Sequence, residues 1–137
     1  LVVWLHPIHW YSMPPLMKLW LDEVLAFGWA YGPGGDALRG KALWLVTSTG
    51  GGPEAYSHGG RHGHPFEHFL LPWRQTAYLT GMNTVEPLVL HGAHREDPGA
   101  LAGHVASFLA GLDLATVAQA VMPDACSVAA DERPLPR

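Results

Sequence analysis

Apolar residues crowd the start of the chain without alternating. Leu1-Val2-Val3-Trp4-Leu5 is a continuous, β-branched-rich run, and His6-Pro7 ends it. A strand buried on both faces has this pattern, so the run predicts a central parallel strand. A helical period follows. Leu16, Leu19, Trp20, Val24 and Phe27 recur at helix spacing, Lys18, Asp22 and Glu23 take the other face, and Gly28 closes the segment. Ser12 is placed to cap this helix, with Pro14-Pro15 in a first turn that needs no N–H. Residues 42–46 predict a second buried strand running into the polar Thr47-Ser48-Thr49. Residues 50–63 are too glycine-rich for regular structure, and a loop of that length in a compact domain is usually functional or mobile. Residues 66–80 predict a helix, with Pro72 at a bend or first turn. Residues 85–91 predict a third strand, placed at an edge by Pro87, and residues 98–112 an amphipathic helix. Beyond Asp113 the signal fades into a short helix over 115–121 and a weakly structured tail over 113–137.

Strand–helix alternation three times over predicts an α/β domain with a parallel sheet and helices on both faces. Such sheets bind ligands beyond the carboxyl ends of their strands. The segments there are 6–13, 47–63 and 91–95.

Composition narrows the classes. The 137 residues allow one domain, and 48% hydrophobic residues supply a sizeable core. Only 15% are charged, which is sparse for a free-standing surface and implies an outside partly hidden against a partner or a further segment. A net charge of −4 argues against nucleic acid, which needs a concentrated basic stripe. The single Cys126 excludes an internal disulfide framework and fits a reducing, cytoplasmic setting. No run approaches the roughly 20 apolar residues of a membrane-spanning helix, and no signal peptide is read. The chain opens on Leu1 inside an apolar run, the expectation for the middle of a longer protein.

Two of the strand-end segments have unusual chemistry. Trp10 and Tyr11 either lid the core or flank a flat ligand while the loop's N–H groups bond the ligand's edge. Gly50-Gly51-Gly52 either forms a flexible loop or lets backbone approach such a ligand closely. Tyr56 and His62 are possible proton donors to developing negative charge. His58, His62, His64 and His68 raise a zinc reading, which the intervening Gly59, Gly60 and Gly63 weaken; a solvated His-rich loop is the expectation, with no metal. His91 and His94 read as rim residues, and Cys126 has no catalytic role.

Longer motifs carry a resemblance. Pro7-x-x-Trp10-Tyr11-Ser12-x-Pro14-Pro15-Leu16-x-Lys18-x-Trp20-x-Asp22, then Gly28-Trp29-Ala30-Tyr31-Gly32, then Ser48-Thr49-Gly50-Gly51-Gly52 resembles the flavodoxin-like NAD(P)H:quinone oxidoreductases. Within them the chain is most similar to the branch of ancillary flavoproteins of glutathione-gated Kef potassium-efflux systems, over about residues 1–91. The resemblance implies a doubly wound sheet of strand order 2-1-3-4-5, with the three strands here matching its last three. It implies a dimer binding FMN or FAD, with FMN favoured, and hydride passing from NAD(P)H through flavin to a quinone. Ile8, His9, Trp10 and Tyr11 match one ring-binding loop, and Ser48, Thr49, Gly50 and Gly51 the other. Tyr56 and His62 match a Tyr/His pair that balances charge during hydride transfer. Tyr31 matches an aromatic that reaches the neighbouring subunit's quinone site, and the Trp20 helix then lies near the dimer boundary. The family's first two strands have no counterpart after Leu1, and the flavin-phosphate loop that follows the first is missing with them; the exposed sheet edge would then fall at residues 1–5. The Kef branch implies a second role, as a regulatory subunit docking on a potassium-efflux antiporter and so peripheral at the inner membrane face through protein contact.

Overall fold

The computed structural model describes residues 1–95 and 97–112. The expected tail over 113–137, the helix over 115–121 and Cys126 lie outside them.

Among the described residues four parallel strands form one sheet: β1 (Val2–Pro7), β2 (Ala42–Ser48), β3 (Asn83–Thr84) and β4 (Leu88–Leu90). β2 is the centre. Its first six residues are all buried, as a strand covered on both faces requires. β1 pairs along one edge of β2, from Val2 opposite Leu43 to Pro7 opposite Ser48. β3 and β4 pair with β2 through Ala42–Asn83 and Val46–Leu88 registers. The third strand expected over 85–91 is therefore interrupted, with Pro87 in the gap where it cannot donate to a ladder.

β1 departs from expectation in two ways. It runs on through His6 and Pro7, because both pair with β2. It also alternates: Trp4 and His6 are buried, whereas Leu5 is 65% exposed. Among the described residues β1 pairs only with β2, so it is an edge strand rather than a central one.

Among the described residues four α-helices cover the sheet: α1 (Pro15–Val24), α2 (Phe66–Phe69), α3 (Leu71–Thr80) and α4 (Pro98–Gly111). Leu21 of α1 and Phe66, Leu70, Trp73 and Ala77 of the 66–80 segment join Trp4, Leu43 and Leu45 in one core. Phe108 of α4 stacks on Trp44 at 5.5 Å, on the opposite face, above an apolar cavity of about 280 Å³. The 66–80 helix is broken at Leu70, and Pro72 falls in the first turn of α3. Asp97 caps α4 by accepting from the Ala100 N–H at 2.9 Å. α4 is half-buried at most and shows no strongly amphipathic burial.

α1 reverses its expected face. Met17, Leu21 and Leu25 pack on the core, while Leu16, Leu19, Trp20 and Phe27 are exposed. α1 has no side-chain cap: its N-cap is Pro14, which carries no acceptor, and Ser12 lies two residues earlier, bridged to His9. It ends at Val24, and Gly28 serves the turn beyond, with φ of +80°.

Candidate functional site

The carboxyl ends of β1 and β2 release two loops side by side. The Ile8 N–H donates to the Ser48 carbonyl at 2.8 Å, tying their roots together. The first loop is a two-residue turn. His9 and Ser12 exchange both backbone bonds at 2.9 Å, and Trp10 and Tyr11 sit between them at φ of 47° and 63°. Two successive positive-φ residues make a type I′ geometry, which usually takes Asn-Gly. Holding bulky aromatics there costs about 1–3 kcal/mol each, strain of a kind that clusters at ligand sites. Trp10 is 92% exposed, so core packing does not explain its presence.

The second turn, Thr49–Gly52, is latched to the segment after β4. Thr49 N–H donates to Leu90, Ala93 N–H to Thr49, and Gly92 N–H to Gly51, at 2.8–2.9 Å. Among the described residues, no acceptor meets the N–H groups of Gly50, Gly51 and Gly52, nor those of Trp10 and Tyr11. Ile8, Trp10, Tyr11, Gly50, Gly51, Tyr56 and His62 together line one slot of about 210 Å³. The Trp-Tyr turn and the glycine turn thus face a common space with donors on both rims.

His62 sits between two tyrosines. The Tyr11 hydroxyl lies 3.3 Å from His62 Nδ1, and the Tyr56 ring packs 4.6 Å from the imidazole. Tyr11 also stacks on Phe69 at 5.2 Å, so α2 buttresses the strained turn. Glycine at position 60 is required here, because a Cβ there would strike the Ala55 carbonyl oxygen at 2.5 Å. A wider opening of about 630 Å³ shares Gly50, Gly51 and His62 with the slot and adds Glu54, Arg61 and Arg95.

The expected residues divide clearly. Ile8, Trp10, Tyr11, Gly50, Gly51, Tyr56 and His62 come together at the slot. His9 closes the hairpin and Ser48 anchors Ile8 through its carbonyl, both without lining the slot. Thr49 is buried and holds the glycine turn from behind. Tyr31 lies apart from the slot lining, edge-on to Phe27 at 5.7 Å. His91 is no rim residue: its Nδ1 is 3.0 Å from Thr49 Oγ1 and its ring packs on Tyr56 and Phe66. Burial holds its pKa below the usual imidazole value, against the opposing pull of Glu67 and Glu54. Among the described residues no three His, Cys, Asp or Glu side chains are grouped to hold a metal. Phe69 and Arg61 were missed by sequence reasoning, although both lie within or just after the glycine-rich loop at a strand's carboxyl end.

His6 is buried behind the site. The Trp73 indole N–H donates to His6 Nε2 at 3.2 Å, and His6 Nδ1 faces the Pro7 carbonyl at 2.9 Å. Its pKa is lowered mainly by burial.

Comparison with known proteins agrees with this architecture. The chain is 47% identical over 91 residues to the glutathione-regulated potassium-efflux system ancillary protein KefF of Citrobacter koseri, covering 66% of this chain and 51% of that protein. It thus spans about half the length of the curated relatives it matches. Among solved structures, a chain described as a thermophilic tryptophan halogenase from Streptomycin violaceusniger aligns with TM-score 0.75 and 38% identity, over 78% of this chain and 62% of that one. General stress protein 14 of Treponema denticola, solved in complex with FMN, aligns with TM-score 0.70 and 36% identity, over 79% and 64%. An NADPH-quinone reductase from P. pentosaceus aligns with TM-score 0.72 and 29% identity, over 77% and 62%. Different chemistries are named on one fold, so the fold alone does not fix the reaction. Residues 1–112 match the family model described as flavodoxin-like fold, and with the parallel sheet, the helices on both faces and the strand-end slot, the chain belongs to the flavodoxin-like family.

Proposed function

We propose that the slot holds the isoalloxazine ring of a flavin, FMN in preference to FAD, and that the protein is a flavin-dependent NAD(P)H:quinone oxidoreductase. One observation carries this reading: four residues with unbonded backbone N–H groups, Trp10 and Tyr11 on a strained aromatic turn and Gly50 and Gly51 on a glycine turn, frame one slot. A planar ring with acceptor atoms along its edge suits those donors, and the glycines allow its close approach. The KefF identity and the FMN-bound and quinone-reductase structures support the same choice.

A bound flavin supplies hydride acceptance and donation, which no side chain can provide. The chain's part is placement and proton control. Trp10 and Tyr11 cover one side of the slot, and the N–H groups of Gly50 and Gly51 stabilise negative charge along its rim. The Tyr56 hydroxyl and His62 imidazole hold the proton that balances such charge. Arg95 lies 3.9 Å from Glu54 at the wider opening, which leaves Arg61, among the described residues, as the cation there suited to the phosphates of a dinucleotide. The test is a titration of FMN fluorescence followed by NAD(P)H-dependent reduction of a soluble quinone. Quenching at one flavin per chain with turnover is expected; the absence of both overturns the reading.

The exposed Leu16, Leu19, Trp20, Phe27 and Trp29 supply an apolar face for a homodimer. Sedimentation of the parent and of Trp20→Glu tests it, a dimer dissociated by the substitution being expected. The KefF likeness favours a second role, activation of a potassium-efflux antiporter by docking at the inner face of the membrane. No helix among the described residues is long and apolar enough to cross a membrane, so this contact would run through protein. Co-purification with an antiporter that persists in Tyr56→Phe would separate docking from catalysis.

A further inference from the structure

Thr49 has one hydroxyl proton and two contacts that need one. Its Oγ1 donates to the Gly51 carbonyl at 2.8 Å and also lies 3.0 Å from His91 Nδ1. Both contacts are hydrogen bonds only when His91 carries a proton on Nδ1. We propose that His91 is a positioning residue of the slot: its Nδ1–H fixes the Thr49 hydroxyl, which fixes the Gly51 carbonyl and so the glycine turn.

The surroundings give the relay its leverage. Thr49 is buried, at 3% exposure, so its hydroxyl has no water to fall back on. The Gly51 carbonyl accepts a second bond from the Gly92 N–H at 2.8 Å, and the two donors together hold its peptide plane. In a trans peptide the N–H of Gly52 then points the opposite way, away from the latch. Glycine does not fix its own backbone angles, so a triple-glycine turn needs such an external brace to present preorganised donors. His91 is itself held, with the Tyr56 ring at 5.2 Å and the Phe66 ring at 5.1 Å. The brace therefore also touches one of the two proposed proton holders.

The functional consequence rests on the flavin reading of the slot, and the tests separate the two. His91→Phe keeps an aromatic ring against Tyr56 and Phe66 but has no donor. Thr49→Val removes the hydroxyl. Each is expected to weaken FMN binding about 5- to 30-fold, as loss of one buried hydrogen bond implies. Because both break one relay, the double variant is expected to bind no more weakly than either single one. His91→Asn restores an N–H near the Nδ1 position and is expected to bind within about twofold of the parent. Parent-like binding by His91→Phe, or additive losses in the double variant, overturns the relay. Long-range ¹⁵N–¹H spectra of the histidine rings in the flavin-free chain decide the matter without any flavin. A protonated Nδ1 on His91 that is lost in Thr49→Val is expected, with slow exchange of the Gly92 amide in the parent. An unprotonated Nδ1 in the parent overturns the proposal even if FMN binds. Absence of FMN binding by the parent defeats only the flavin reading and leaves the ring spectra to judge the relay.

Discussion

A methyl group added at Gly51 would press on His62 and Tyr56, whereas one added at Gly50 would meet no side chain of the slot. A Cβ on Gly51 falls 2.9 Å from His62 Nε2, 3.3 Å from Ala55 Cβ and 3.4 Å from Tyr56 Cε2. On Gly50 the nearest neighbour is the exposed His94 ring, at 3.4 Å. Neither glycine has a positive φ, so neither substitution strains the backbone. The contrast is purely one of space. In Gly51→Ala, His62 must shift, and its contacts with the Tyr11 hydroxyl at 3.3 Å and the Tyr56 ring at 4.6 Å shift with it. Overpacking of this kind costs about 1–3 kcal/mol, or roughly 5- to 150-fold in affinity for a ligand using that geometry. FMN fluorescence titrations of Gly50→Ala and Gly51→Ala, with circular dichroism to verify folding, provide the assay. Gly50→Ala meets only His94, which is free to move, and should bind more tightly than Gly51→Ala, which falls in the stated range. Equal binding by the two variants would refute the claim that His62 and Tyr56 define the slot wall.

Trp10→Gly relieves the φ of 47° while deleting a side chain that is 92% exposed. It should therefore stabilise the fold by about 1 kcal/mol in urea unfolding yet weaken flavin binding, and an unchanged affinity would remove Trp10 from the site. Trp73→Phe leaves buried His6 Nε2 without its donor and should lower stability by about 1–3 kcal/mol by the same measurement. Burial depresses the pKa of both His6 and His91, so the unfolded chain takes up protons first as the medium acidifies. Stability should be fullest above about pH 6.5 and fall below it through the folded-state values, and an equal urea midpoint on both sides would contradict this. Tyr56→Phe and His62→Gln should each slow flavin reduction by about 10-fold or more in stopped-flow experiments, and parent-like rates would remove them from proton control.

What the sequence revealed depended on how far each feature is local. The continuous run in β2 was legible because that strand is buried on both faces. The similar run in β1 misled, since Leu5 points outward from a strand whose second edge is unpaired among the described residues. In α1 apolar residues occupy too many sides for periodicity to choose a face. Leu16, Leu19 and Trp20 looked core-facing, and tertiary packing selected Met17, Leu21 and Leu25 instead. The slot was legible because it is made by unusual local composition, aromatics in one turn and glycines in another, at strand ends. The roles of Thr49 and His91 were not, because 42 positions separate them and only the pairing of β4 with β2 brings them together.

The central claim is that two turns close on one planar ring, and riboflavin tests it most directly because it presents the ring without a phosphate. Backbone amide spectra of the labelled chain should show Trp10, Tyr11, Gly50, Gly51 and Gly52 shifting together along one saturable isotherm. Saturable shifts confined to one turn, or placed elsewhere on the sheet, would contradict it.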